Sequence, residues 1–207
     1  MGSGIFSIAF ALFLLMDPLG NVPLFITILK DFSPKKQKKI ILRELVLALA
    51  TIIGFYFIGD VLLDFIHIKQ HTLLMAGGLI LFLIAIRMIF PASSAQKEEL
   101  IKNLKAPVLV PLAIPLVAGP AVLATVMLYS QQKIHPIVVL SAIFLAWVAS
   151  TLILLSSTFL KKCLGPTGLS AAEKLMGLLL TLLSIQMFLE GLSLYIAELS
   201  TTSVLIP

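Results

Sequence analysis

The chain has 207 residues, 59% of them hydrophobic and only 12% charged, with a mean hydropathy of +1.11 and a net charge of +5. Soluble domains are nearer 45–50% apolar and about 25% charged, so a water-soluble globule is excluded and no length remains for a large domain outside a membrane. One cysteine, Cys163, excludes an internal disulfide, and His67, His71 and His135 stand near segment ends rather than in a metal-ligand spacing.

Six apolar blocks can be marked, at about 5–29, 41–63, 72–90, 107–130, 136–160 and 174–197. Each is close to the roughly 20 residues that carry an α-helix across a hydrocarbon core. The expected fold is an all-α polytopic membrane protein of six transmembrane helices, one integral domain over 1–207. No Lys or Arg precedes Lys30, so the first block lacks the basic region of a cleaved signal peptide and is expected to persist in the mature chain. After it comes a polar turn, Lys30 to Lys39, whose Ser33-Pro34 pair suits an N-cap followed by Pro at the first helical position. The link from Pro91 to Ala106 is the longest and most polar. The link from Lys161 to Glu173 contains the break Gly165-Pro166-Thr167-Gly168.

Basic residues sort strongly between these links. Those after blocks one, three and five hold all of the 15 Lys and Arg except Lys69 and Lys133. Basic loops stay cytoplasmic, so both termini are expected outside, periplasmic in a Gram-negative cell. The run Lys35 to Lys39 then reads as a topology signal in contact with lipid headgroups, and no nucleic-acid partner is expected.

The two halves resemble each other. Block one reads Asp17-Pro18-Leu19-Gly20-Asn21-Val22-Pro23 and block four Ile114-Pro115-Leu116-Val117-Ala118-Gly119-Pro120, displaced by 97 residues from Pro18 to Pro115. Gly78, Ile86 and Met88 in block three match Gly177, Ile185 and Met187 in block six, displaced by 99. With three spans per half, a repeat at about 1–92 and another at about 105–200 must be inverted. Interrupted helices at corresponding places in inverted repeats point to a transporter site near the midplane.

Proline removes a donor and clashes with the preceding turn. The pairs Pro18/Pro23 and Pro115/Pro120 should each unwind about one turn of helices one and four. In lipid, unwound backbone is tolerated only against protein or a water-filled cavity. Pro23 and Pro120 would sit in the first turn of the half-helix beyond each break, where free N–H groups and the positive dipole end favour a carboxylate. The carbonyl end before each break suits an ammonium or a cation. Gly20, Ala118 and Gly119 leave room for a small ligand only.

Asp17 adds a full charge about 18 Å along the first block, where a carboxylate usually marks a substrate or ion pathway. It could meet a substrate ammonium or a coupling cation, hold a proton, or simply cap the broken turn. Asn21 lines the site or satisfies unwound backbone, and Gln186 either reaches the site as a second contact or bonds between helices. The substrate-binding set is thus Asp17, Gly20, Asn21, Val117, Ala118 and Gly119. Arg87 and Glu190 read as snorkelling groups. Arg43, Glu44, Asp60 and Asp64 are expected in solvent or headgroups, and Ala76, Gly77 and Gly78 in close helix packing. No catalytic triad, phosphate loop or metal cluster is present in the sequence, so neither an enzyme nor a cofactor is expected, and coupling to H+ or Na+ stays open.

The runs Met16 to Pro23, Gly77 to Met88 and Pro111-Leu112-Ala113-Ile114-Pro115-Leu116-Val117-Ala118-Gly119-Pro120 resemble the MarC family of bacterial inner-membrane proteins over nearly the whole chain. That resemblance implies transport of small neutral amino acids, through likeness to an archaeal glycine/alanine carrier. The expected function is a secondary transporter working by alternating access, with the lipid bilayer and a small-molecule substrate as partners and homo-oligomerisation open. The alternatives are a non-transporting membrane protein with an assembly or stress role, and a proton or cation channel, for which the chain has few polar residues.

Overall fold

The computed structural model describes residues 2–29, 32–90, 117–132 and 134–204. Every regular element among them is a helix: α1 (Gly2–Met16), α2 (Pro18–Leu29), α3 (Pro34–Ile66), α4 (Gln70–Ile89), α5 (Pro120–Gln131), α6 (Pro136–Leu155) and α7 (Ser157–Val204). Five stretches are long and apolar enough to cross a membrane: Gly4–Ile26, Pro34–Gly59, Gln70–Ile89, Pro136–Leu155 and Thr167–Ser200. The 12 residues of α5 span only about 18 Å. The first part of the expected fourth span, with Pro115, and the link Pro91 to Ala106 lie outside the described residues.

Two boundaries differ from the sequence reading. The apolar block marked from 41 begins too late, whereas the Ser33-Pro34 start is borne out: helix α3 begins at Pro34, with Ser33 in extended conformation before it (φ −61°, ψ 150°). Proline at the first position is preorganised for a helix, and Lys and Gln are good helix formers, so the basic run belongs to the helix rather than to a loop. Its far end stops at His67, whose φ of 58° places it in the left-handed region. Helix α7 likewise absorbs most of the Lys161 to Glu173 link. Its one non-helical residue, Gly165 (φ 62°, ψ −179°), is followed directly by Pro166, where a missing donor is harmless if a new helix begins.

The helices alternate in direction. At one end α2 finishes while α3 and α7 begin, around a cavity of about 200 Å³ lined by Phe25, Ile26, Leu29, Gln37, Ile41, Ser157 and Thr158. Gln37 Nε2 closes this turn by donating to the carbonyls of Leu29 and Phe32, both at 2.9 Å. At the opposite end Leu63, His67, Lys69, Gln131 and Glu198 surround a more polar cavity of about 550 Å³. Large apolar side chains such as Phe57, Leu83, Leu152 and Leu182 are exposed on the flanks, as a lipid-facing surface requires.

Helices α4 and α7 pack along a glycine seam. A Cβ on Gly78 would meet the Ser184 carbonyl oxygen at 2.8 Å and the Phe188 nitrogen at 3.0 Å. A Cβ on Gly177 would meet the Ala85 carbonyl oxygen at 3.1 Å and Ile89 Cγ1 at 3.0 Å. These contacts are reciprocal: Gly78, Ala85 and Ile89 become Gly177, Ser184 and Phe188 on adding 99 to each number. Without a hydrophobic drive between helices in lipid, such close backbone approach is what holds them together. Gly77, against Ala124 of α5, extends the small-residue packing expected there.

Candidate functional site

Helix α1 ends because Asp17 adopts φ 44°. Asp and Asn reach that left-handed region more readily than other non-glycine residues. Pro18 reinforces the break by disfavouring the right-handed helical region for the residue before it. The chain then resumes its helix at once. The Asp17 carbonyl accepts the Asn21 N–H at 3.1 Å, and Asp17 Oδ1 accepts the Gly20 N–H at 3.1 Å, so Asp17 is the N-cap of α2. The Asp17 N–H donates to the Leu14 carbonyl at 3.0 Å. The Met16 carbonyl is satisfied by Asn21 Nδ2 at 3.1 Å.

This break is narrower than its prolines predict. A single residue, not a whole turn, leaves the helix, since one left-handed residue already redirects the axis and its side chain caps α2. Pro18 therefore takes the first position of α2, and Pro23, expected there, lies inside the helix. Gly20 is required by the carboxylate: a Cβ there would overlap Asp17 Oδ2 and stand 2.6 Å from Met88 Cε of α4. Asn21, 7% exposed, places its amide on the backbone. Among the described residues no hydrogen bond reaches Asp17 Oδ2.

The second break is built differently. Val117 and Ala118 are 1% and 0% exposed. Gly119 is extended (φ −63°, ψ 166°), and α5 starts at Pro120 with no side-chain cap. Pro120 is exposed, and behind it Ala121 and Val122 are buried, at 3% and 0% exposure. A helix start without a capping side chain leaves amide donors for another partner. Met16 and Val22 from the first break pack in the same core as Val117, Ala118 and Val122, while the hydrogen bonds of Asp17 and Gly20 stay within the first break.

Gln186 does not join this arrangement. It is exposed and donates to Glu190 Oε1 at 2.8 Å, because the buried face of α7 runs through Met176, Gly177, Leu180, Ser184, Met187 and Gly191 and turns Gln186 away. Glu44 is the opposite correction. Expected among headgroups, it is 5% exposed. Starting α3 at Pro34 sets Glu44 about 15 Å into the helix, and its helical spacing with Ile41, Ala48 and Ile52 puts it on the buried stripe. That spacing was readable, but the late start assigned to the span hid it. Arg43 and Asp64 are exposed, as expected. Among the described residues no group of three or more His, Cys, Asp or Glu could hold a metal ion.

Comparison with known proteins now places the chain. The family described as "MarC family integral membrane protein" matches residues 2–196. The chain belongs to the MarC family. The inner membrane protein YhgN of Escherichia coli is 45% identical over 195 residues, 92% of this chain and 97% of that protein. A membrane protein of Buchnera aphidicola subsp. Acyrthosiphon pisum is 46% identical over 189 residues, 91% of this chain and 95% of that protein. A membrane protein of Chlamydia pneumoniae is 35% identical over 184 residues, covering 88% of this chain and 90% of its own length. No solved structure matches the chain. As a MarC family member, the protein is an integral membrane protein with several apolar helices.

Proposed function

We propose that the protein is a secondary transporter of small neutral amino acids, of the glycine and alanine class, resident in a bacterial inner membrane. In this reading six transmembrane helices form two inverted three-helix repeats, helices one and four are broken, and both termini face outward. One half rocks against the other to open the site alternately to each side.

The observation that carries the reading is the pairing of unlike breaks in one core. Asp17 offers a carboxylate with Oδ2 unengaged among the described residues, which suits an ammonium group. The uncapped start of α5 at Gly119 and Pro120, with Ala121 and Val122 buried behind it, offers amide donors and a positive dipole end, which suit a carboxylate. Around Gly20 the Asp17 carboxylate and Met88 Cε already stand close, so a ligand held there would be small. The reciprocal contacts of Gly78 and Gly177 support the inverted repeat, and the description of the Escherichia coli relative as an inner membrane protein supports the location. A ligand that binds only the folded state raises apparent stability. Glycine or L-alanine should therefore raise the unfolding temperature of the purified protein, with leucine and phenylalanine inert. Equal responses to all of them, or none to any, would overturn the assignment.

The second reading is a non-transporting membrane protein whose break serves packing. Its support is the closure of the first break by Asp17 and Asn21 themselves. It predicts that no amino acid stabilises the protein.

A further inference from the structure

We propose that the cavity between the end of α2 and the starts of α3 and α7 binds one anionic glycerophospholipid, its phosphate among lysines at the mouth and its glycerol esters inside. This site does not depend on what the protein carries. The cavity, about 200 Å³, has walls of two kinds. Phe25, Leu29 and Ile41 make it apolar, while Ser157 and Thr158, the first residues of α7, bring hydroxyls to it. That mixture suits the part of a lipid where acyl chain meets ester oxygen. The wall is held in place by Gln37, which also lines the cavity and donates from one amide to the Leu29 and Phe32 carbonyls.

The headgroup is named by what flanks the mouth. On α3, Gln37 and Ile41 stand one turn apart on the cavity face, so Lys36 and Lys38 lie to either side of Gln37, each about 100° round the helix. Both are exposed. Lys36 Nζ lies 4.7 Å from the centroid of the Phe32 ring, and the Phe32 carbonyl is one of the two that Gln37 holds. A chain of contacts thus runs from this ammonium to the cavity wall. An ammonium resting on a ring face keeps donors for a phosphate oxygen. On the other side, the first segment of α7 runs between the spanning stretches Pro136–Leu155 and Thr167–Ser200 and is ended by Gly165 at φ 62°. In it Phe159 and Leu164 are 66% and 45% exposed, beside the exposed Lys162. Apolar side chains and a lysine exposed together outside a spanning stretch belong at the boundary of headgroups and acyl chains. Because Phe159 directly follows Thr158, the cavity opens at that depth. Lys162 stands one turn beyond Thr158 on the same face. Positive charge therefore meets the mouth from both α3 and α7, and basic pockets between membrane helices select anionic headgroups.

The test is native mass spectrometry of the full-length protein released from detergent micelles, after adding phosphatidylglycerol or phosphatidylcholine with identical acyl chains. One phosphatidylglycerol should stay bound at severalfold higher occupancy than phosphatidylcholine. Lys36→Gln combined with Lys38→Gln should bring that occupancy down to the phosphatidylcholine level, whereas Lys36→Arg with Lys38→Arg should keep it. Lys35→Gln with Lys39→Gln removes as much charge from the far face of α3 and should leave the occupancy unchanged. Thr158→Trp, which fills the cavity from its exposed rim and alters no charge, should lower it severalfold. Glycerol 3-phosphate, the same anion without chains, should not displace the lipid. Equal occupancy by the two lipids in the wild type overturns the proposal without any variant. Equal loss in the two lysine pairs, or full occupancy in Thr158→Trp, would reduce the effect to general attraction between a basic surface and anionic lipid and overturn the site. Displacement by glycerol 3-phosphate would make the site one for a soluble phosphate and overturn the lipid as its occupant.

Discussion

The α4–α7 seam and the two helix breaks put the same internal similarity to different uses. Along the seam the halves match contact for contact, Gly78 on Ser184 and Phe188, Gly177 on Ala85 and Ile89. At the breaks they diverge: Asp17 caps α2 with its own carboxylate, while α5 starts behind Gly119 with no side-chain cap. Packing constrains both halves equally, because two backbones can approach this closely only where no Cβ intervenes. Charge is placed at one break alone, because a second carboxylate at the other would add several kcal/mol of desolvation. On the proposed carrier reading, the repeated part is scaffold and the unrepeated part is where the solute is met.

Several substitutions would break or sharpen that contrast. The largest effect is expected in the seam, where Gly78→Leu drives a side chain into backbone atoms at 2.8 and 3.0 Å. It should lower stability by about 3 kcal/mol, and Gly177→Leu should do nearly as much, both read from denaturant unfolding in mixed micelles. Gly54→Ala is the control: a Cβ there has nothing within 4 Å, and stability should hold or rise. At the first break Asp17→Ala removes the cap and places alanine at φ 44°; a loss of about 1–2 kcal/mol is expected. Asp17→Asn keeps the acceptor and tolerates the same φ, so it should unfold within about 0.5 kcal/mol of wild type. Trp147→Phe, which removes the 2.7 Å bond to the Leu45 carbonyl, should destabilise by about 1 kcal/mol. Gln186→Leu, on an exposed face, should change neither stability nor any transport.

Much of this architecture was legible in the chain. Hydropathy located five of the membrane-spanning stretches, because lipid allows a backbone little besides a helix, and Gly77-Gly78 announced close packing. The break after Met16 was readable from Asp17-Pro18, but its width was not. Prolines report where a donor is missing, whereas the left-handed φ of Asp17 and its bond to Gly20 decide how quickly the helix resumes. Helix starts were the weakest part. Polarity placed Lys35 to Lys39 in a loop, although Ser33-Pro34 and good helix formers carry α3 through them, and that shift of a few residues moved Glu44 from the headgroups to the interior. The facing of Gln186 depended on the rotation of α7, which its even hydrophobicity does not specify.

The central claim, that the unrepeated carboxylate of Asp17 serves a carried solute, is tested most directly by uptake of labelled glycine and alanine into proteoliposomes containing wild type or Asp17→Asn. The account predicts uptake by the wild type that exceeds empty liposomes and is competed by unlabelled alanine. It predicts near-complete loss in Asp17→Asn, with the folded fraction unchanged. Equal uptake by the two proteins would contradict the role of Asp17, and no uptake by the wild type from either side would contradict the carrier itself.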